Sequence, residues 1–181
     1  MQQESTTALG AIVWFVALGL CLASTPAQAA CPRILEVDVG NNQVKLTNLE
    51  AGTQPSGYWL CNFPNYQQVA QPIAFGETVL VSLQGSFLSA GDGELGLYST
   101  NSFDSSSAIL DYMEYGSSGH MRSSVAVAGG VWTAGDFVPL PPIGAMEWSG
   151  VSCADPGNAE AWQAVVPRKA ESFAAVKALF D

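Results

Sequence analysis

Charge is scarce in this chain, and positive charge scarcest. Lys and Arg together number 6 against 16 Asp and Glu, and charged residues make up only 12% of 181, about half the usual ~25%. The resulting net charge of -10 and a pI near 4.2 repel nucleic acid and anionic membrane surfaces, which excludes both as electrostatic partners. Histidine is rarer still. His120 has no metal-ligating residue three or four positions away, and the cysteines form no C-x-x-C pair, so a Cys/His metal cluster is not expected. No G-x-S-x-G elbow and no D-x-D-x-D-G loop is present, which removes the motifs of an α/β-hydrolase nucleophile and of an EF-hand. No five or six like charges run together, so the acidity is a solvated surface and not an acidic tail.

One hydrophobic run does stand out. Ala8 to Ala23 is a 16-residue, nearly unbroken apolar stretch, followed by Ser24, Thr25 and Pro26 and then Ala27-Gln28-Ala29. Small residues at Ala27 and Ala29 fit the A-x-A pattern of signal-peptide cleavage. Residues 1–29 therefore read as an export signal, with a mature chain starting at Ala30-Cys31. Met1 to Thr7 holds Glu4 and no Lys or Arg, unlike a typical signal start, which keeps an uncleaved membrane anchor as the alternative. The run is shorter than the ~20 residues of a spanning helix. The expected location is secreted, periplasmic or cell surface. Without the signal three cysteines remain, Cys31, Cys61 and Cys153. Export implies that two of the three form a disulfide, with three pairings open.

After residue 30, short apolar segments recur every 10 to 15 residues between turn residues. Ile34 to Val39 alternates, breaks at Gly40-Asn41-Asn42, and resumes at Val44 to Thr47, which predicts a hairpin. Tyr58 to Cys61, Thr78 to Val81, Glu94 to Tyr98, Ile109 to Tyr115 and Val131-Trp132 continue the series. Helical periods do not separate them, so the pattern predicts an all-β sandwich over residues 30–166. Residues 167–181 differ: Phe173, Val176 and Phe180 fall at helical spacing among alanines, predicting a short C-terminal helical tail.

The order of these segments resembles the lamin-tail domain family. Ile34-Leu35-Glu36-Val37, Val44-Lys45-Leu46-Thr47-Asn48, Gly57-Tyr58-Trp59-Leu60, Gly76 to Val81, Glu94 to Tyr98 and Leu110-Asp111-Tyr112-Met113-Glu114-Tyr115-Gly116 follow the family's motif order, and Trp162 matches a late tryptophan. The resemblance spans residues 33 to 163. It implies an immunoglobulin-like β-sandwich serving as a binding or structural module on exported bacterial proteins. The alanine-rich tail departs from the family's usual Gly-Asn ending.

Few residues invite chemistry. His120 sits in a Ser-rich loop, and with Asp111 and a serine it permits a triad on paper. The carboxylate pairs Asp92/Glu94 and Asp111/Glu114 fit a turn and a strand, and three-residue spacing sends Asp111 and Glu114 to opposite faces. Asp92, Glu94, Asp104 and Asp155 are the oxygens a calcium site would draw on. Trp59, Trp132, Trp148 and Trp162, with Tyr58, Tyr66, Tyr98, Tyr112 and Tyr115, form either a sandwich core or a sugar-stacking face. Tyr58 and Trp59, adjacent on one strand, are the expected interaction strip, because one of the two must face outward. The resulting expectation is an exported non-enzymatic module, with no cofactor or metal, recognising a protein or glycan. The alternative is a calcium- or carbohydrate-dependent adhesion module at the cell surface.

Overall fold

The computed structural model describes residues 30–52, 57–139, 144–155 and 157–165. The expected signal, with Ala27 and Ala29, and the expected helix with Phe173, Val176 and Phe180 lie outside them. Among the described residues nine strands form two antiparallel sheets. In chain order these are β1 (Pro32–Asp38), β2 (Gln43–Asn48), β3 (Tyr58–Asn62), β4 (Asn65–Val69), β5 (Thr78–Ser82), β6 (Gly93–Tyr98), β7 (Ile109–Tyr115), β8 (Ala145–Trp148) and β9 (Trp162–Ala164). One short helix, α1 (Ser123–Ala128), lies between β7 and β8.

The first sheet runs β5-β2-β1-β8-β9 and the second β4-β3-β6-β7. The neighbours β1-β2-β5 and β4-β3-β6-β7 repeat the A-B-E and C′-C-F-G order of immunoglobulin sandwiches, and β8 and β9 extend the first sheet past β1. Ile34, Val44, Leu46 and Val79 meet Tyr58, Leu60, Leu95, Leu97 and Met113 in a buried core. Ile34 and Val37 both sit in that core although strict alternation puts residues three apart on opposite faces. The register shifts between Ile34 and Glu36, so Leu35 is a bulge that resets the phase. Val131-Trp132 is not a strand: the chain bends there after α1, and the indole is used elsewhere, as described below.

Two ties hold one end of the sandwich. Arg33 on β1 reaches Asp111 on β7 of the opposite sheet (2.9 Å) and donates to the carbonyls of Cys153 (3.1 Å) and Asp155 (2.8 Å). Asp111 also accepts from the Ile34 N–H (2.7 Å). The second tie is a disulfide joining Cys31 to Cys153, with Cα atoms 6.1 Å apart, while Cys61 is free and buried. Such a bond persists in oxidising, extracellular-type environments. Among the described residues no helix is long and apolar enough to cross a membrane.

Candidate functional site

A sandwich sheet ordinarily buries one face and gives the other to water. The second sheet departs from this. Its outward positions are Trp59 and Cys61 on β3, Glu94 and Tyr98 on β6, and Tyr112 and Glu114 on β7, and Cys61, Glu94, Tyr98, Tyr112 and Glu114 are all buried. Residues 116 to 138 leave β7 and fold back over this face. Their neck is closed by Gly116 N–H to Val138 O (2.9 Å) and Val138 N–H to Glu114 O (2.8 Å). Gly116 adopts φ +80°, and a Cβ there would lie 2.5 Å from the Gly91 carbonyl oxygen, so the turn into the excursion requires glycine. At its far end a Cβ on Gly129 would meet Ile109 at 2.7 Å and the Ser106 carbonyl at 2.9 Å. That closeness seats α1 directly on β7.

The excursion wraps its donors around two glutamates. Glu94 and Glu114 are direct cross-strand partners, an arrangement in which two carboxylates repel. Donors offset the repulsion. Glu114 Oε2 accepts from the Gly119 N–H (3.0 Å), the His120 N–H (3.1 Å) and His120 Nδ1 (3.0 Å), with the Tyr112 hydroxyl at 3.5 Å. Its Oε1 accepts from the Ser123 hydroxyl (2.9 Å) and Trp132 Nε1 (3.2 Å). Glu94 Oε2 accepts from the Tyr112 hydroxyl (2.9 Å) and the Arg122 N–H (2.8 Å). Burial pushes the Glu94 carboxyl above its usual value near 4.5, opposed by the Arg122 N–H and the Tyr112 hydroxyl. Burial and then the Glu94 charge push the Tyr112 phenol upward, so it remains a donor.

A raised folded-state value means that Glu94 takes up a proton on folding. Its contribution to stability is present below about 4.5 and is lost as pH rises through the raised value. Glu94→Gln keeps an acceptor and removes that penalty. In thermal melts from pH 4.5 to 8 the variant should gain on the wild type as pH rises, and parallel curves would refute the assignment.

His120 is placed by this network. A carboxylate only accepts, so the Glu114 contact puts the proton on Nδ1. Nε2 lies 3.7 Å from Asp92 Oδ2, which accepts from the Ser117 hydroxyl (3.0 Å). The triad drawn with Asp111 does not form, because Asp111 points inward to Arg33. Glu114, two residues from Tyr112 on the same face, is the partner instead. A groove of about 720 Å³ opens beside His120, walled by Met121, Val127, Ala128, Ala134 and Gly135 with Ser123 and Ser124. Met121 and Val127 project into water.

Across the face from this groove lies Arg122. Its guanidinium pairs with Asp104, reaches the Tyr66 hydroxyl (3.4 Å) and stands 5.4 Å from the centre of the Phe63 ring. Tyr66 stacks on Phe103 at 4.3 Å, and Trp59 and Tyr98 meet Phe103 edge-on at 6.0 and 5.3 Å. The expected strip is thereby corrected. Tyr58 points into the core with no exposure, because β3 sends it toward the first sheet, and Trp59 is half-covered by Phe103. Phe75 and Phe137 are exposed elsewhere, and two exposed aromatics, Phe63 (43%) and Tyr66 (41%), stand on the β3–β4 hairpin beside Arg122. Beneath them, burial raises the Cys61 thiol to about 12 despite the neighbouring Arg122, which leaves it inert as a nucleophile at neutral pH.

The four oxygens considered for calcium do not converge. Glu94 is taken by Tyr112 and Arg122, Asp92 by Ser117, Asp104 by Arg122, and Asp155 by the Val151 and Ser152 N–H groups (2.6 and 2.7 Å), which lower its carboxyl. Among the described residues no three His, Cys, Asp or Glu side chains are arranged to hold a metal ion. Comparison of the chain with protein-family models, with curated proteins and with solved structures gives no match, so the reading of this site rests on its own residues.

Proposed function

We propose that the chain is an exported, non-enzymatic binding or structural module of lamin-tail type. It acts outside the cytoplasm and recognises its partner through the roofed outer face of the second sheet. The carrying observation is the 116–138 excursion: a network around two buried glutamates holds it over the sheet, and one apolar groove opens on its surface. Rigid presentation of small apolar surfaces by a fixed scaffold is what recognition requires. Two of the hydroxyls near His120 are engaged as structural donors, while Ser124 on the groove wall is exposed. Ser123 bonds Glu114 and Ser117 bonds Asp92, while Cys61 is buried, which supports binding over catalysis. The disulfide supports export.

The test uses the full chain expressed with residues 1–29 in its native host. The expected product is recovered outside the cytoplasm, begins at Ala30 and is retained by the cell-envelope fraction. Retention should fall about tenfold in Met121→Glu combined with Val127→Asp, a loss typical of a disrupted interface centre. A cytoplasmic product, undiminished retention in the double variant, or a turnover abolished by His120→Ala would overturn the reading.

A further inference from the structure

Resting on that reading, we propose that the ridge of Phe63, Tyr66 and Phe103, with the Arg122–Asp104 pair, is a saccharide site that takes neutral pyranose units of a polysaccharide. The ridge is built and not incidental. Tyr66 lies nearly parallel to Phe103, at 24°, and Phe103 is wedged from beneath by the edges of Trp59 and Tyr98. The stacked pair therefore has one fixed orientation while Tyr66 and Phe63 remain over 40% exposed. Aromatic surface left in water by a chain able to bury Tyr58, Tyr98, Tyr112 and Tyr115 completely is surface that a ligand can cover.

The polar half of the site sits between the rings. Arg122 is held against Phe63 and Tyr66, and Asp104 opposite it is 90% exposed at its side chain. Guanidinium and carboxylate side by side offer a donor and an acceptor, which two adjacent sugar hydroxyls match, since each both donates and accepts. The C–H face of a pyranose ring is apolar and fits an aromatic platform.

Charge decides the ligand class. Asp104 already neutralises Arg122, and a chain of net charge -10 repels sulfated or phosphorylated glycans. A neutral polyol meets neither obstacle.

Depletion assays of the mature chain on cellulose, chitin, xylan and agarose, with heparin as the anionic comparison, test the proposal. At least one neutral polysaccharide should retain the protein and heparin should not. Tyr66→Ala and Phe63→Ala should each weaken retention about tenfold, as removal of a stacking ring does. Asp104→Asn, at a side chain 90% exposed, should weaken it several-fold and, with a melting curve to show that it folds, serves if the ring variants unfold. Failure to bind any of the neutral polysaccharides, or undiminished binding in all three variants, would overturn the proposal. Envelope retention that depends on Met121 and Val127 but is indifferent to Tyr66, Phe63 and Asp104 would sink the saccharide site and leave the module reading standing.

Discussion

Glu114→Gln is expected to lower the unfolding free energy by about 3–5 kcal/mol, the range seen when one member of a buried charged network is removed. For a domain of this size that corresponds to a fall in Tm on the order of 10 °C. The substitution changes only one oxygen to an amide nitrogen, yet the two oxygens together receive Gly119 N–H, His120 N–H, His120 Nδ1, Tyr112, Ser123 and Trp132. Whichever way the glutamine amide is turned, its NH2 group confronts two or more of these donors. Stranded buried donors lose their partners outright. The effect should also be local in its consequences. Gly119, His120 and Ser123 hold the start of the excursion, so hydrogen exchange of the amides in 117–128 should quicken more than that of β1 to β3. His120→Ala removes one ring donor and leaves five contacts in place, and should cost far less. A Glu114→Gln protein melting within about 2 °C of wild type would mean that the network does not hold the excursion.

Most of the sandwich was legible because its signals are local. The two-residue period of Ile34 to Val39 and Val44 to Thr47, with a turn between them, becomes the β1–β2 hairpin, and Asn42 takes the positive φ (53°) that such a turn demands. The bulge at Leu35 left no sequence signal, since its phase shift is set by pairing with β2. Strands β4, β8 and β9 escaped notice for related reasons. Asn65 to Val69 is largely polar because it is an exposed edge, and β8 and β9 are only four and three residues long and pair with partners distant in sequence. Val131-Trp132 has strand propensity, but Trp132 Nε1 is drawn to Glu114 and its ring to Tyr112 at 5.6 Å, a tertiary override of local preference.

The site was half legible. Spacing correctly separated Asp111 from Glu114, and the same rule places Tyr112 beside Glu114. What spacing could not supply is the register of β6 on β7, which brings Glu94 opposite Glu114, or the return of residues 116–138 over a face that ordinarily meets water. For the same reason the expected strip moved. Alternation required one of Tyr58 and Trp59 to face outward, and Trp59 does, but Phe103 from another loop covers part of it. The exposed rings nearest to it are Phe63 in the following turn and Tyr66 on β4.

Reduction of the Cys31–Cys153 bond should lower stability by about 4–5 kcal/mol, the chain-entropy value for a loop of this length. The bond joins residues 122 apart and so restricts nearly the whole unfolded domain. Urea titrations with and without reductant measure it. The reduced chain should unfold at lower urea and with a steeper slope, because its unfolded state is freer to expand and exposes more surface. The difference should persist in Cys61→Ser, since that buried thiol takes no part, and vanish in Cys153→Ser, which begins without the bond. A second consequence follows from Arg33. The carbonyls of Cys153 and Asp155 are two of its acceptors, so loosening the 151–155 segment strips hydrogen bonds from the guanidinium that faces buried Asp111. The loss upon reduction should therefore reach or exceed the entropy figure. Arg33→Met should cost less in the reduced protein than in the oxidised one, because part of what Arg33 holds is already released. A reductant effect below about 1 kcal/mol would show that the 153–155 segment stays in place without its covalent tie, with the Arg33 network sufficient to hold it.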